Sequence, residues 1–250
     1  MVSSPIIDEI YETRVVRDSA GNEYQLAAEV GRAEGDYLYR LISGDSSISK
    51  TLEVGCAFGL SSLHICEALR GRPDPSHVIV DPGQARSWHG VGLANLERAG
   101  IDFFTHIAEP SEFALPELAR SRGGSFDLVF IDGWHTFDHT LLDLFYANLL
   151  VRVGGYIVVD DCTWRSVSAA VSYFKNYPAY REVSEQGIPA HSLPERIAKA
   201  SSTVLRPALA RRVLPAGIYD RYYRRVRFPS MVGFQKIAED ARNWDWYKGF

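Results

Sequence analysis

The chain has 250 residues, of which 46% are hydrophobic, and this is enough to bury a full core as one domain. A formal net charge of −4 gives no overall attraction to nucleic acid or to an anionic membrane. No stretch approaches the roughly 18 apolar residues of a spanning helix, and the first residues lack the charged and apolar regions of a secretion signal. We therefore expect a cytoplasmic protein without a membrane span.

The first 45 residues are predicted to form an arm and a helix. We expect residues 1–20 to be a loosely packed arm. Residues 25–42 carry apolar side chains at mostly helical spacings, which predicts an amphipathic helix that leads into the first strand.

From residue 50 onward, strand and helix patterns alternate strictly. The predicted strands are 50–54, 77–81, 103–107, 126–131 and 155–160. The predicted helices are 60–70, 87–99, 111–121, 136–150 and 164–175. Such alternation indicates a parallel sheet with helices on both faces. Two further short strands are predicted at 180–184 and 231–237.

These elements predict a single doubly wound α/β domain with a mostly parallel, seven-stranded sheet. Its parts are an arm and helix at 1–45, a cofactor-binding core at 46–186, an insertion at 187–230, and a last strand and aromatic tail at 231–250. The insertion carries nine Lys or Arg residues against two acids. It could shape an acceptor groove or a dimer contact, and RNA binding is the less favoured interpretation. The arm and the tail suggest a homodimer.

Three cysteines, Cys56, Cys66 and Cys162, form an odd set without CxxC spacing. This pattern indicates neither a disulfide framework nor a zinc site. We expect buried free thiols.

A glycine turn of the kind that binds nucleotides follows the strand at 50–54. The run Thr-Leu-Glu-Val-Gly-Cys-Ala-Phe-Gly-Leu-Ser-Ser reads as strand, turn and helix start. The turn offers two glycines for close backbone approach, Gly55 and Gly59, and two hydroxyls, Ser61 and Ser62. Asp81, at the end of the next strand, can bind a ribose. Both NAD and S-adenosylmethionine satisfy this outline, but the second glycine of GxGxxG is missing, which disfavours NAD.

Three carboxylates lie where two other predicted strands end, namely Asp132 after 126–131 and Asp160 with Asp161 at the end of 155–160. They would repel one another unless a cation held them, and such hard oxygen ligands suit Mg²⁺ or Mn²⁺. Each alone could instead be a helix N-cap or a turn residue.

The motif Glu-x-Gly-x-x-x-Gly at 53–59, with the acid at 81, resembles the class I S-adenosylmethionine-dependent methyltransferases over about residues 25–174. The run Ile-Asp-Gly-x-His, followed by a strand ending in Asp-Asp, is similar to their metal-dependent O-methyltransferases, closest to the sugar and macrolide branch. The resemblance implies a Rossmann-like fold and two cofactors, S-adenosylmethionine and Mg²⁺ (or Mn²⁺).

The resemblance also implies roles for single residues. The implied cofactor-binding residues are Glu53, Gly55, Ala57, Gly59, Ser61, Ser62, Asp81, Ala108, Glu109, Ser111 and Asp132. The implied metal ligands are Asp132, Asp160 and Asp161. His135 is the candidate general base, since it follows a ligand by three residues and has a pKa near working pH.

Acceptor-binding residues are predicted with less support: Gln84, Trp88, His89, Trp134 and His139. The first three lie in a loop next to the cofactor, for which a plain surface loop is the alternative. Trp134 could equally be a core residue, and His139 is a less favoured second base. We expect Mg²⁺-dependent methyl transfer to a hydroxyl of a saccharide, an oligosaccharide or a glycosylated product.

The nearest rival acceptor is a catechol or an acyl-CoA-linked phenol. A catalytically silent scaffold that binds the cofactor is a rival from another class. A nucleic-acid base methyltransferase is disfavoured, because Asp/Asn-Pro-Pro-Tyr/Phe is absent after the fourth strand.

Overall fold

The computed structural model describes residues 4–183 and 229–249. Its helices are α1 Pro5–Thr13, α2 Arg32–Gly44, α3 Leu60–Leu69, α4 Val91–Arg98, α5 Ser111–Arg122, α6 Phe137–Leu150 and α7 Arg165–Phe174. Its strands are β1 Val15–Arg17, β2 Glu23–Gln25, β3 Lys50–Val54, β4 Ser76–Val80, β5 Phe104–Ile107, β6 Phe126–Ile131, β7 Val151–Val159, β8 Tyr180–Glu182 and β9 Val232–Lys236. The insertion predicted at 187–230 lies almost wholly outside the described residues.

Seven strands form the central sheet in the order β5-β4-β3-β6-β7-β9-β8. The first five in this order run parallel, and β9 is antiparallel to both β7 and β8. The chain winds outward from β3 in one direction and from β6 in the other, so a crevice opens at the carboxyl ends of these two strands. The predicted doubly wound, mostly parallel sheet of seven strands is confirmed.

The sheet is buried on both faces, which explains why its central strands are nearly continuous apolar runs. Every residue of β6 is buried. Side chains alternate between faces along a strand, so Leu128 and Phe130 pack with the cluster that includes α2 and α3, whereas Val129 and Ile131 pack with the cluster that includes α5, α6 and α7.

The N-terminal segment differs from the prediction. Residues 1–20 were expected to form a loosely packed arm, but from Pro5 they form α1, which buries Ile6, Ile7 and Ile10, followed by β1. Because α1 has only nine residues, its apolar spacing is too brief to stand out as a periodic signal.

The helix predicted at 25–42 is also shorter and later, as α2 covers Arg32–Gly44. Its start is fixed by a capping interaction in which the Glu34 carboxylate accepts the backbone N–H of Gly31 at 2.8 Å. Leu26 and Val30, which looked like part of the helical stripe, are buried in the extended segment before it.

The three cysteines are free and buried, as predicted. The described part of the aromatic tail docks on its own domain, where Trp246 lies 5.6 Å from Tyr177 and the Arg242 guanidinium lies 3.3 Å from the centre of the same ring. No helix in 4–183 or 229–249 is long and apolar enough to cross a membrane.

Candidate active site

The ends of three neighbouring strands are held side by side, and they define the site. The backbone N–H of Asp132 donates to Val54 O at 2.8 Å, and that of Asp160 donates to Ile131 O at 3.0 Å. Each bond extends a parallel ladder by one residue, beyond the end of β6 at Asp132 and beyond the end of β7 at Asp160. The sheet itself therefore places the carboxylates of Asp132 and Asp160 at one edge, as the sequence predicted.

Asp161 reaches the same edge through an unusual backbone conformation. Its φ of 51° lies in the left-handed region, which aspartate tolerates better than most residues. Its N–H donates to Oδ1 of Asp160 at 2.8 Å, so this oxygen of Asp160 already has a partner within the turn. The strained turn sets Asp161 apart from β7 and places its carboxylate close to His135 and Asp132.

His135 lies between these two carboxylates. Its Nε2 is 3.2 Å from Asp132 Oδ1 and 3.3 Å from Asp161 Oδ2. Ligand atoms of Asp132, His135 and Asp161 all lie within 4.8 Å of one another. The sequence placed Asp132, Asp160 and Asp161 together as ligands, with His135 beside them. In the structure His135 belongs to the close group, and Asp160 is the more buried neighbour.

The electrostatics of this group favour a bound cation or proton. Burial raises the pKa of Asp132 to about 6, although the hydrogen bond from His135 opposes this shift. Burial, followed by the charge of Asp132, raises the pKa of Asp160 well above its usual range. The hydrogen bond to Asp132 raises the pKa of His135. The site therefore holds more negative charge than its own residues neutralise.

A divalent cation fits this arrangement. Asp132 and Asp161 offer hard oxygen ligands at one edge, and their repulsion from each other and from Asp160 would be relieved by Mg²⁺ or Mn²⁺. A cation bound by Asp132 and Asp161 would take the place of the contacts that His135 makes with these two carboxylates.

Aromatic side chains project around this cluster. Trp134 is 71% exposed and Trp164 is 55% exposed, which is unusual for such large apolar residues. The Trp164 ring lies 5.3 Å from His135, and Trp134 lies 6.3 Å from His139. The sequence analysis singled out Trp134 but missed Trp164, although its position three residues after Asp161 was a usable signal.

His139 has a separate set of contacts. Its Nδ1 lies 2.8 Å from the Thr136 hydroxyl and 3.6 Å from the Asp138 carboxylate. These contacts hold the ring at the start of α6 and leave His135 as the histidine that contacts the carboxylate cluster.

Two further carboxylates near the site were missed by the sequence analysis. Asp143 of α6 is buried, which raises its pKa to about 6, and it lines a small cavity together with His135 and Asp160. Glu34 of α2 lies close enough for its charge to raise the pKa values of Asp160 and Asp161. Neither residue follows a strand of the sheet, so no strand-end pattern identifies them.

The glycine turn after β3 is closely packed against the neighbouring backbone. Gly55 has φ +85°, and a Cβ there would lie 2.1 Å from Asp132 O. Gly59 has φ +83°, and a Cβ there would lie 2.7 Å from Gly92 O. Ala57 between them also has a positive φ, of 46°. Both glycines are therefore required by the fold.

Asp81 follows β4 as predicted, but its carboxylate supports the glycine turn. It accepts the backbone N–H groups of Cys56 and Ala57 at 3.0 Å each, that of Gly83 at 2.6 Å, and the Gln84 amide at 2.9 Å. A carboxylate offers about four acceptor positions. A ribose hydroxyl bound here would replace one of these donors.

The loop at 82–90, which was predicted to lie next to the cofactor, packs on its surroundings. Gln84 is buried and also donates to Ala57 O at 2.7 Å. Trp88 packs edge-on to Phe58 at 5.2 Å, and His89 stacks on Tyr24 at 4.3 Å. These positions place Gln84 against the glycine turn and away from an open acceptor surface.

The remaining predicted cofactor residues divide by exposure. Ser61, Ser62 and Glu53 are buried, and the Ser62 hydroxyl donates to Glu53. Ala108 and Glu109 after β5 are exposed, whereas Ser111 at the start of α5 is nearly buried. Ser111 and the glycine turn both lie at carboxyl ends of parallel strands, on the same side of the sheet.

Known proteins are similar to this chain over the domain that contains the site. Residues 52–162 match the family model described as "Methyltransferase domain". A catechol O-methyltransferase of Mycobacterium tuberculosis is 30% identical over 167 residues, which cover 63% of this chain and 71% of the relative. Tricin synthase 1 of Oryza sativa subsp. japonica is 32% identical over 129 residues, which cover 48% of each chain.

Solved structures share the fold at lower identity. An O-methyltransferase from Bacillus cereus in complex with SAH has a TM-score of 0.59 and 17% identity, with 75% of this chain and 86% of that chain covered. An O-methyltransferase from Streptomyces achromogenes involved in tomaymycin synthesis, in complex with SAM, has a TM-score of 0.57 and 21% identity, with 74% and 84% covered.

Proposed function

The chain belongs to the class I S-adenosylmethionine-dependent O-methyltransferases, and from this premise we propose that it methylates a hydroxyl of a small-molecule acceptor at a divalent-metal site. The metal ligands in this proposal are Asp132, Asp160 and Asp161. The observation that carries it is the close group of Asp132, Asp161 and His135, which lies beside the glycine turn.

The cofactor site lies at the glycine turn in this proposal. Gly55 and Gly59 let the backbone approach the methionine and ribose parts, with Ala57, Ser61 and Ser62 on the same turn. Asp81 stands at the ribose end, and the adenine borders the residues after β5: Ala108, Glu109 and Ser111. Two observations support this arrangement. The two glycines of the turn have positive φ, and Gly55 directly follows Val54, whose carbonyl accepts the backbone N–H of Asp132.

His135 is the proposed general base. Its Nε2 contacts Asp132 and Asp161, and a cation bound by these carboxylates would release Nε2 to accept a proton. Nε2 takes the hydroxyl proton while the acceptor oxygen bonds to the methyl carbon and the methyl-sulfur bond breaks, which releases S-adenosylhomocysteine. A bound Mg²⁺ supplies charge that lowers the pKa of the acceptor hydroxyl.

A saccharide or glycoside is the proposed acceptor class, with Mg²⁺ (Mn²⁺ as alternative) as the metal. The exposed indoles of Trp134 and Trp164 offer apolar faces on which a ring can lie. A catechol or another phenol is the second candidate, and the names of the two curated relatives favour it.

The test is mass-spectrometric detection of methyl transfer from S-adenosylmethionine to a panel of saccharides, glycosides, catechols and flavonoids. Each reaction is run with Mg²⁺ and with EDTA, and with Asp161→Asn as a variant. A product that requires Mg²⁺ and fails to form with Asp161→Asn supports the metal site and identifies the acceptor class. Transfer that resists EDTA contradicts the metal site.

A further inference from the structure

Four buried polar side chains form a chain of contacts beneath the glycine turn, apart from the metal site. Thr51 and Glu53 lie on the same face of β3, because side chains two residues apart along a strand share a face. On the adjacent strand β4, His77 is the direct partner of Thr51. Ser62 lies in the first turn of α3. All four residues are fully buried.

The hydrogen bonds of this group lead from Thr51 through His77 to Glu53. His77 Nδ1 lies 2.9 Å from the Thr51 hydroxyl oxygen, and its Nε2 lies 3.1 Å from Glu53 Oε2. An ionised carboxylate can only accept, so Nε2 carries the proton and Nδ1 accepts from Thr51, an assignment that follows from the neighbouring groups. His77 thereby connects Thr51 to Glu53.

The two carboxylate oxygens of Glu53 differ in their hydrogen bonds. Oε2 receives His77 and the Ser62 hydroxyl, whereas the buried Oε1 has no hydrogen-bond partner among residues 4–183 and 229–249. A buried, unsatisfied carboxylate oxygen is costly, so its presence calls for a donor from outside the described residues. A cationic donor would also neutralise the charge of the carboxylate.

Glu53 lies two residues before Gly55, at the turn that we assign to the cofactor. S-adenosylmethionine carries an α-ammonium group at its methionine end, which offers three N–H donors and a positive charge. We propose that Thr51 and His77 are positioning residues, which hold Glu53 so that its free oxygen receives this ammonium group. The inference rests on the cofactor site of the proposed function, and it assigns the chain of contacts to the amino-acid end of the cofactor.

The test compares two ligands that share adenosine and the thioether but differ at the amino-acid end. S-adenosylhomocysteine has the ammonium group, and 5′-methylthioadenosine lacks it. Isothermal titration calorimetry measures the Kd of both for the full chain and for two matched variants. His77→Gln keeps an N–H donor near the Nε2 position, whereas His77→Asn keeps one only near Nδ1.

We expect His77→Asn to bind S-adenosylhomocysteine about tenfold or more weakly, the size associated with loss of a hydrogen bond to a charged group. Its affinity for 5′-methylthioadenosine should not change, and His77→Gln should bind both ligands nearly as the natural chain does. If His77→Asn is too unstable to purify, Thr51→Val and Thr51→Ser make the same comparison with a smaller expected loss.

Equal weakening of both ligands would show that the contacts are only structural, and unchanged binding of both would overturn the inference as well. These outcomes leave the proposed function intact. Failure of the natural chain to bind S-adenosylhomocysteine would instead overturn the cofactor site and, with it, this inference.

Discussion

The residues at the ends of β6 and β7 form the proposed metal site, and their charges are not balanced within the described part of the protein. Asp132, Asp160 and Asp161 all have raised pKa values, with burial as the largest cause in each case. Such carboxylates bind either a proton or a cation. The state of this cluster should therefore depend on both pH and metal.

His135 is predicted to be essential while its neighbour His139 is not. Replacing His135 with Gln removes the base and should lower kcat by about 10²–10⁴-fold, the usual contribution of general acid-base catalysis. His139→Gln is the matched control, since His139 lies four residues away and is bonded to Thr136. Steady-state kinetics with a saturating acceptor measures both. Equal losses in the two variants would contradict the assignment.

Stability should fall as pH rises in the absence of metal. The pKa values of Asp132 and Asp143 are raised from 3.8 to about 6, and that of His135 is raised from 6.5. The folded state therefore binds more protons than the unfolded state between about pH 4 and pH 7, so the free energy of unfolding decreases over this interval.

Thermal unfolding in EDTA measures this dependence. The melting temperature at pH 7.5 should lie several degrees below that at pH 5, and excess Mg²⁺ should reduce the difference because the cation replaces the proton at the cluster. Asp143→Asn should remove only the contribution of Asp143 to this pH dependence of the melting temperature. A melting temperature that rises between pH 5 and pH 7.5 in EDTA would contradict the assigned protonation.

Among the elements, the glycine turn depends most strictly on residue type. Gly55→Ala places a Cβ 2.1 Å from Asp132 O in a left-handed conformation. The strain alone costs about 1–3 kcal/mol, and the clash would move the Asp132 strand end. We expect a lower melting temperature and loss of S-adenosylhomocysteine binding.

Gly44→Ala is the matched control for this change, because a Cβ at Gly44 has no atom within 4 Å. It should leave both stability and binding nearly unchanged. Normal binding by Gly55→Ala would show that the turn does not approach the cofactor.

Helix α1 should contribute to stability as part of the domain. Ile7 is fully buried, and Ile7→Ala should reduce the free energy of unfolding by about 2–5 kcal/mol. Denaturant titration measures the change, with the half-exposed Ile237→Ala as control. A loss no larger than that of the control would mean that α1 is dispensable.

The elements with strong hydrophobic patterns in the sequence were predicted best. The run of mostly apolar residues at 126–131 predicted the strand β6 with its observed limits. The acids after β6 and β7 predicted the edge of the sheet at which the candidate site lies, because the parallel topology fixes where strand ends meet. Helix α1 was too short for a periodic signal. Glu34 and Asp143 were missed because their positions depend on tertiary packing that no local spacing encodes, whereas Trp164 could have been found from its place three residues after Asp161.

The whole molecule combines a rigid sheet edge with two adjacent sites. The glycine turn after β3 and the carboxylates after β6 and β7 are joined by backbone hydrogen bonds between their strand ends. This continuity brings a methyl donor and a metal-bound hydroxyl into reach of one another in the proposed function. In the proposed function the acidic cluster would hold the metal, and the exposed indoles would contact the acceptor.

The central claim is that methyl transfer requires a divalent cation held by the acidic cluster. The most direct measurement is the initial rate of S-adenosylhomocysteine formation, with an acceptor from the panel, as Mg²⁺ is added back to chelated protein. The account predicts no product without metal, a saturable rise in rate with Mg²⁺, and no such rise with Asp161→Asn. A rate that is the same in EDTA and in Mg²⁺ would contradict it.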